Sequence, residues 1–225
     1  MNSERPYLVI MLTHNDKTVE NALEIFEACR DLDVLHWGFK NVGLPAEKMK
    51  ELVQAIKKAG KVTHMEVVTY SEEECLEAAD LAIECGFDYL LGTVYYPSVH
   101  EKVRNSPVKF FPFCGKVWGS PSVLGETVEE IVADAKRFEK LGLDGTDLLA
   151  YRFIGNADEL IKSFKEEITF PVLIAGSVDS YERIDFMKQI NPWGFTMGSA
   201  LFTKKFVKDG TFRENLEEVI SYLEK

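Results

Sequence analysis

Polar residues recur at a spacing of two inside or just beyond the apolar segments of the first third of the chain. His14 and Asp16 follow the run Tyr7 to Leu12. His36, Gly38 and Lys40 span the end of the run Val34 to Phe39, and His64 and Glu66 interrupt Val62 to Val68. Side chains two apart on a strand share a face, so each set predicts a polar stripe on one face. These residue types suit proton transfer. His14 with Asp16 reads as one acid–base pair. Lys40, with Glu66 beside it on the next segment, has three roles open to it: a general base, a Schiff-base amine, or a clamp on an anionic substrate. Glu66 would keep it charged or relay a proton. The plain alternative is an ion pair that fills the interior, but a buried pair adds little net stability and so needs another reason. Arg152, just past Tyr151, adds positive charge, and Lys116 lies in a long loop where a lysine is more often solvated.

A second kind of chemistry is written near the C-terminus. Ala175-Gly176-Ser177 and Met197-Gly198-Ser199-Ala200 each end an apolar run and precede a helical pattern. Glycine lets backbone approach a ligand closely, and free amides at such a turn attract an anion. One turn of this kind is ordinary. Two together predict a phosphate site formed by Gly176, Ser177, Gly198 and Ser199. The stretch Cys114 to Gly125 is long and glycine-rich, and it reads as a lid over which Trp118 either closes or packs on the rim.

Those residues sit on a repeating frame. Apolar runs at Tyr7 to Leu12, Val34 to Phe39, Val62 to Val68, Asp88 to Val94, Val108 to Phe113, Thr146 to Tyr151, Pro171 to Ala175 and Gly194 to Met197 alternate with amphipathic stretches. The helical stretches begin near Thr18, Pro45, Ser71, Pro97, Thr127, Ala157, Ser180, Leu201 and Phe212. Strands alternating with helices imply parallel pairing and right-handed crossovers. Eight such units predict an α/β chain forming one (β/α)8 barrel over residues 1–225. No linker or shift in composition divides it. An open doubly wound sheet fits less well, because no G-x-G-x-x-G follows the first strand. In a barrel the chemistry belongs at the C-terminal ends of the strands.

Gly198-Ser199-Ala200-Leu201-Phe202 resembles the eighth-strand motif of the ribulose-phosphate-binding barrels. These include ribulose-phosphate epimerase, the tryptophan and histidine biosynthesis barrels and orotidine phosphate decarboxylase. The resemblance covers nearly the whole chain by period and is specific over the last two strands. It implies a phosphorylated ligand. His36 and His64 fall where the epimerase has metal histidines. Gly38 and Ala175-Gly176-Ser177 stand where it has aspartates, so no metal is expected and the histidines read as packed neutral residues or hydrogen-bond donors. Lys40 matches the lysine of the decarboxylase pattern Asp-x-Lys-x-x-Asp, but Gly38 and Gly43 replace both acids. The sixth run has no lysine, against the common Schiff-base aldolases.

Composition narrows the partners. The 225 residues carry 37 acids against 26 bases, a net charge of −11, which argues against a nucleic-acid surface. No apolar stretch reaches the roughly 18 residues of a membrane span, and the first residues lack a secretory pattern, so a cytoplasmic protein is expected. Cys29, Cys75, Cys85 and Cys114 are scattered and read as buried thiols in a reducing compartment. The outer helices offer surface for self-association, but no stripe picks out a face. The expectation is an enzyme, without cofactor, that carries a small phosphorylated metabolite through a lyase- or isomerase-type proton transfer. Its catalytic candidates are Lys40, Glu66, His14, Asp16 and Arg152. The alternative is a phosphate-ligand barrel without turnover, a sensor or regulator.

Overall fold

The computed structural model describes residues 5–225, and among them eight strands form one parallel sheet. They are β1 (Tyr7–Met11), β2 (His36–Lys40), β3 (Val62–Val67), β4 (Tyr89–Gly92), β5 (Lys109–Phe111), β6 (Thr146–Leu148), β7 (Val172–Ile174) and β8 (Gly194–Met197). The sheet order is β6-β7-β8-β1-β2-β3-β4-β5. A parallel bridge between Phe113 and Asp147 joins its two edges. The Asp147 amide and Thr146 Oγ1 both donate to the Pro112 carbonyl there, at 3.0 and 2.9 Å. The sheet is therefore the expected (β/α)8 barrel, with the eight strands where the apolar runs stood.

The connecting helices are α1 (Ala22–Cys29), α2 (Ala46–Lys58), α3 (Glu72–Cys85), α4 (Pro97–Arg104), α5 (Val128–Leu141), α6 (Ala157–Glu167) and α7 (Tyr181–Ile190). The short α8 (Ser199–Phe202) and the final α9 (Phe212–Leu223) follow β8. Local chemistry fixes their ends. Ser71 with Glu74, Thr127 with Glu130 and Thr211 with Glu214 close capping boxes that satisfy amides of the first turn. Two boundaries differ from the expectation. Helix α1 starts at Ala22, not Thr18, because Thr18 is held in a hairpin. Strand β6 stops at Leu148, and Ala150–Arg152 form a 3-10 turn, which swings Arg152 off the strand line.

Two hydrophobic layers result. The larger lies between sheet and helices and includes Phe26, Trp37, Phe39, Phe138 and Phe195. The smaller fills the barrel and holds Val9, Met11, Tyr89, Leu91, Phe111 and Leu173. The polar stripes of β2 and β3 face this inner layer. Lys40 pairs in register with Glu66 at the C-terminal ends, and Gly38 pairs with His64 one step below. A Cβ on Gly38 would lie 2.7 Å from Met11 Sδ and 3.0 Å from His64 Cβ. The missing side chain is what lets Met11 and His64 meet beneath Lys40.

Candidate active site at the barrel mouth

A cavity of about 610 Å³ opens at the C-terminal mouth of the barrel, within the size range of small-molecule sites. His14, Asp16, Lys40, Glu66, Arg152, Gly176, Ser177, Gly198 and Ser199 all line it. Nine candidates spread over 186 positions of sequence thus line one cavity, because each sits at or just after the end of a barrel strand.

The ion pair at the floor differs in detail from the sequence reading. Lys40 was expected to have Glu66 as its partner. Its Nζ instead donates to Asp16 Oδ1 in a very short contact and lies 3.8 Å from Glu66 Oε1. Asp16 and His14 are not on strand one, which ends at Met11. The chain turns back as a hairpin, with Thr13–His14 paired antiparallel to Lys17–Thr18. Asn15 and Asp16 sit at its tip with φ of 51° and 62°, a left-handed conformation that these two residue types tolerate best after glycine. Thr18 anchors the hairpin to β2. Its Oγ1 donates to the Lys40 carbonyl at 2.8 Å and accepts the Lys40 amide at 2.9 Å. The tip therefore delivers Asp16 to the lysine beside it. His14 lines the cavity as well, with its ring stacked on Phe202 at 5.4 Å and its buried Nδ1 unpartnered.

Burial pulls the Lys40 ammonium toward its neutral form. The charge of Glu66, and the hydrogen bond and charge of Asp16, more than offset this, so its pKa is raised. A lysine held charged has no lone pair to offer as base or Schiff-base nucleophile. Of the three roles the sequence left open, the geometry favours a fixed cation.

A residue that sequence reading missed lies just inside. Asp147 occupies the centre of β6, in register with Leu173 of the inner layer. It is 1% exposed, and neither carboxylate oxygen has a hydrogen-bond partner. Burial, and then the charge of Glu66, push its pKa well above the ordinary carboxylate value, against a smaller opposite pull from Lys40. The floor thus gathers three carboxyls around one ammonium. An acid in the middle of Thr-Asp-Leu-Leu was the available signal.

The opposite wall is built differently. Gly176 and Ser177 turn with φ of 83° and 48°. Ser177 and Ser199 are exposed at the mouth, and Arg152 lies across Gly176, whose Cβ would meet the arginine Cγ at 2.8 Å. Lys205, also missed by the sequence reading, lines the cavity too, as do Asn15 and Thr203. Among the described residues, Arg152 and Lys205 make no side-chain hydrogen bond or ion pair, so both are available to an anion. Arg183, by contrast, is engaged by the Ser177 carbonyl and by Asp179, 2.8 Å away, and stacks over Tyr151.

The glycine-rich loop forms a second hairpin, Lys116–Trp118 with Val123–Gly125. Its tip, Ser120-Pro121-Ser122, reaches the cavity, and Ser120 Oγ donates to Asp16 Oδ2 at 3.3 Å. Tyr70 ties the same tip down through the Gly119 carbonyl at 2.8 Å and Ser122 Oγ at 2.6 Å. Trp118 packs across Gly125 outside the cavity, and Lys116 is exposed and also outside it. Of the two readings of Trp118, the structure therefore shows rim packing.

His36 and His64 share the interior face with Lys40 and Glu66 but lie lower in the barrel. Their rings meet at 2.8 Å between Nδ1 and Nε2, inside a box of Tyr7, Tyr89 and Trp193. Burial lowers His36 to about 4, and burial with the His36 charge holds His64 well below the ordinary histidine value, so both are neutral packed residues. No group of three or more metal-ligating side chains occurs among the described residues. All four cysteines are free and buried. Burial raises their thiols, Cys29 and Cys75 to about 11 and Cys114 to about 12. Among the described residues, no helix is long and apolar enough to cross a membrane.

No protein-family model matches the chain. No curated protein matches it by sequence either. Solved structures do match by fold. Orotidine 5'-phosphate decarboxylase from Pyrococcus horikoshii OT3 superposes with a TM-score of 0.69 at 11% identity, over 97% of this chain and 99% of that one. The N-acetylmannosamine-6-phosphate 2-epimerase from Clostridium perfringens gives 0.65 at 12%, covering 90% and 92%. Thiamine phosphate pyrophosphorylase from Pyrococcus furiosus gives 0.65 at 17%, covering 99% and 97%. At such identities the likeness is one of fold alone, that of a (β/α)8 barrel.

Proposed function

We propose that the chain is an enzyme that binds a small sugar phosphate at the barrel mouth and catalyses a lyase- or isomerase-type proton transfer. The observation that carries this reading is the division of one cavity into two walls. One wall has glycine turns and two unpaired cations, and the other has a charged lysine among acids. The phosphate would rest on Gly176, Ser177, Gly198 and Ser199, with Arg152 and Lys205 neutralising it. That anchor would bring the carbon end of the substrate to the floor.

Glu66 is the group placed to remove a proton there. Lys40, held charged by Glu66 and Asp16, would stabilise the negative charge that develops on an adjacent oxygen or carbon. His14, across the mouth, would exchange a proton with the other end of the reacting group. The fold neighbours support the phosphate half of this reading, since their names carry a phosphorylated compound. They do not choose between lyase and isomerase.

A thermal-shift screen with inorganic phosphate and triose, pentose and hexose phosphates tests the proposal. A ligand at a hundredfold its dissociation constant should stabilise the fold by about 2.7 kcal/mol. Ser199→Asp should abolish the shift by placing a carboxylate at the anion wall. This serine is exposed, whereas a Cβ at Gly198 would press on the Met11 carbonyl at 2.9 Å and disturb the barrel itself. If no phosphorylated compound shifts the wild type at millimolar concentration, the anion wall is not a phosphate site. A compound that binds but is never turned over, with wild type and Lys40→Ala alike, would favour the sensor or regulator.

A further inference from the structure

The charged floor serves the proposed proton transfer, and the glycine turns and cations serve the phosphate. Two buried hydroxyls have no part in either. Thr196 is 8% exposed and Thr13 is 7% exposed, and both line the cavity. Among the described residues, neither hydroxyl has a hydrogen-bond partner. Other buried threonines spend theirs within the fold. Thr18 Oγ1 donates to the Lys40 carbonyl at 2.8 Å, Thr63 Oγ1 to Asp88 Oδ2 at 2.8 Å and Thr146 Oγ1 to the Pro112 carbonyl at 2.9 Å. Thr93 is buried and unpartnered as well, but it stands outside the cavity lining. Packing does not ask for a hydroxyl at 196. The residue lies on β8 in register with Val9 of the inner layer, and valine has the same shape and the same preference for a strand. A fold that keeps threonine there keeps an oxygen for whatever fills the cavity.

Both threonines adjoin the glycine turn after β8. Thr196 precedes Gly198 by two residues, so it lies about 7 Å deeper along the strand direction. Thr13 meets the same turn from the neighbouring segment, since a Cβ on Gly198 would lie 3.1 Å from the Thr13 carbonyl oxygen. Thr13 also opens the hairpin whose tip carries Asp16 to Lys40. Around them the lining is apolar, with Met11, Leu149 and Met197. We propose that Thr13 and Thr196 read hydroxyls on the bound ligand, which is a phosphorylated polyol chain with hydroxyls on the carbons next to its phosphate ester. This rests on the phosphate wall proposed above and adds the specificity of the stretch beside it. A threonine hydroxyl both donates and accepts. An alcohol does the same, and the two satisfy each other without any charge. A carboxylate only accepts, and it would bring negative charge toward a floor already rich in carboxyls. A bare hydrocarbon chain would strand both hydroxyls once water is expelled. The pair therefore selects a hydroxylated chain over a deoxygenated one at equal phosphate affinity.

The test compares phosphate esters of one carbon skeleton by titration calorimetry. Wild type should bind glycerol 3-phosphate about tenfold or more tightly than n-propyl phosphate, which lacks the hydroxyls. Thr196→Val keeps the shape and removes the oxygen. It should weaken glycerol 3-phosphate about tenfold, the worth of one neutral hydrogen bond, and leave n-propyl phosphate and inorganic phosphate as in wild type. Thr196→Ser, which retains a hydroxyl, should restore the preference. Equal binding of the two esters by wild type overturns the proposal. So does a Thr196→Val protein that loses inorganic phosphate to the same extent, because the threonine would then belong to the anion wall. If Thr196→Val does not fold, Thr13→Val decides in the same comparison, with the same selective loss expected. If no phosphate compound binds wild type, the phosphate reading fails by itself. Unphosphorylated ribose then decides the hydroxyl reading: a thermal shift of wild type that Thr196→Val loses sustains it, and a shift that is absent or survives the substitution overturns it.

Discussion

Replacing Lys40 by Met removes the one ammonium from a floor that holds three carboxyls, and its effect can be worked from the geometry. The Lys40–Glu66 separation of 3.8 Å gives roughly 4 kcal/mol of attraction at an effective dielectric near 20, and Asp16 is closer still. The variant recovers the cost of burying the ammonium and gains an apolar contact. Breaking one side of a buried pair nonetheless leaves a deficit of about 3 kcal/mol. The deficit has a pH signature. Without Lys40 the floor holds acids with no counter-charge, so removing their protons costs more in the folded variant than in the unfolded chain, where carboxylates titrate at about 4. The folded variant then binds more protons than the unfolded chain, so its stability falls as pH climbs through the window above about 4. In the wild type the raised pKa of Lys40 contributes fully below its unfolded value, so this term is constant across neutral pH. The difference between the two proteins should therefore be near 3 kcal/mol at pH 8 and shrink toward pH 5. Urea unfolding at several pH values, with unchanged m, measures it. For a chain of this size the melting temperature at pH 8 should drop by about 6–12 °C. A deficit below about 1 kcal/mol, or one that does not depend on pH, would mean that the floor is solvated like a surface and that Lys40 is not the charge on which the site turns.

Other outcomes follow from the layers beneath. His36 titrates at about 4 in the fold against 6.5 ordinarily. Its contribution is fully present above pH 6.5 and is lost as pH falls toward 4, by up to about 3 kcal/mol. The paired substitution His36→Phe with His64→Leu should flatten the fall of stability between pH 7 and pH 5, and an unaltered slope in urea unfolding would contradict the neutral pair. Gly38→Ala should cost about 1–3 kcal/mol by overpacking, because its Cβ meets Met11 Sδ at 2.7 Å and the His64 backbone oxygen at 3.1 Å. A neutral effect in the same assay would show that Met11 moves aside freely.

The barrel was legible because its signal is repeated. Eight apolar runs separated by amphipathic stretches survive an error of a few residues at any one boundary. The mouth residues were legible for the same reason, since a barrel places every strand end on one rim. What the period of two could not give was height. His36 and Lys40 share a face on β2, yet one belongs to a neutral aromatic box and the other to the charged floor. Only the register with β1 and β3 separates them. The hairpin that carries Asp16 was illegible as strand spacing because it has two residues on each side. Its signal was Asn15-Asp16, a pair suited to positive φ. Asp147 was hidden by the shortness of β6, three residues long, where one acid gives no alternation to read.

The order of these layers carries a physical consequence. In a medium of low dielectric, a charge at the floor interacts with any charge below it across the barrel, with little screening. A protonated histidine beneath Lys40 would compete for Asp16 and Glu66 and lower the lysine toward neutrality. The His36–His64 pair satisfies one ring nitrogen on each side without any charge, and at Gly38 both Met11 and His64 approach the backbone too closely to admit a Cβ. From below, the floor therefore meets no charge; it consists of one ammonium, two carboxyls at the cavity and the Asp147 carboxyl, and Arg152 of the opposite wall also acts on Lys40. The sum is negative by one when Asp147 holds its proton. Such a floor accommodates a hydroxylated carbon chain better than a carboxylate, and under the proposed function the cations of the opposite wall would take the phosphate. An acidic protein of net charge −11 can work this way because fields from its surface are damped within about 8 Å at physiological salt. Recognition of an anion is then decided by Arg152, Lys205 and the backbone of the two glycine turns.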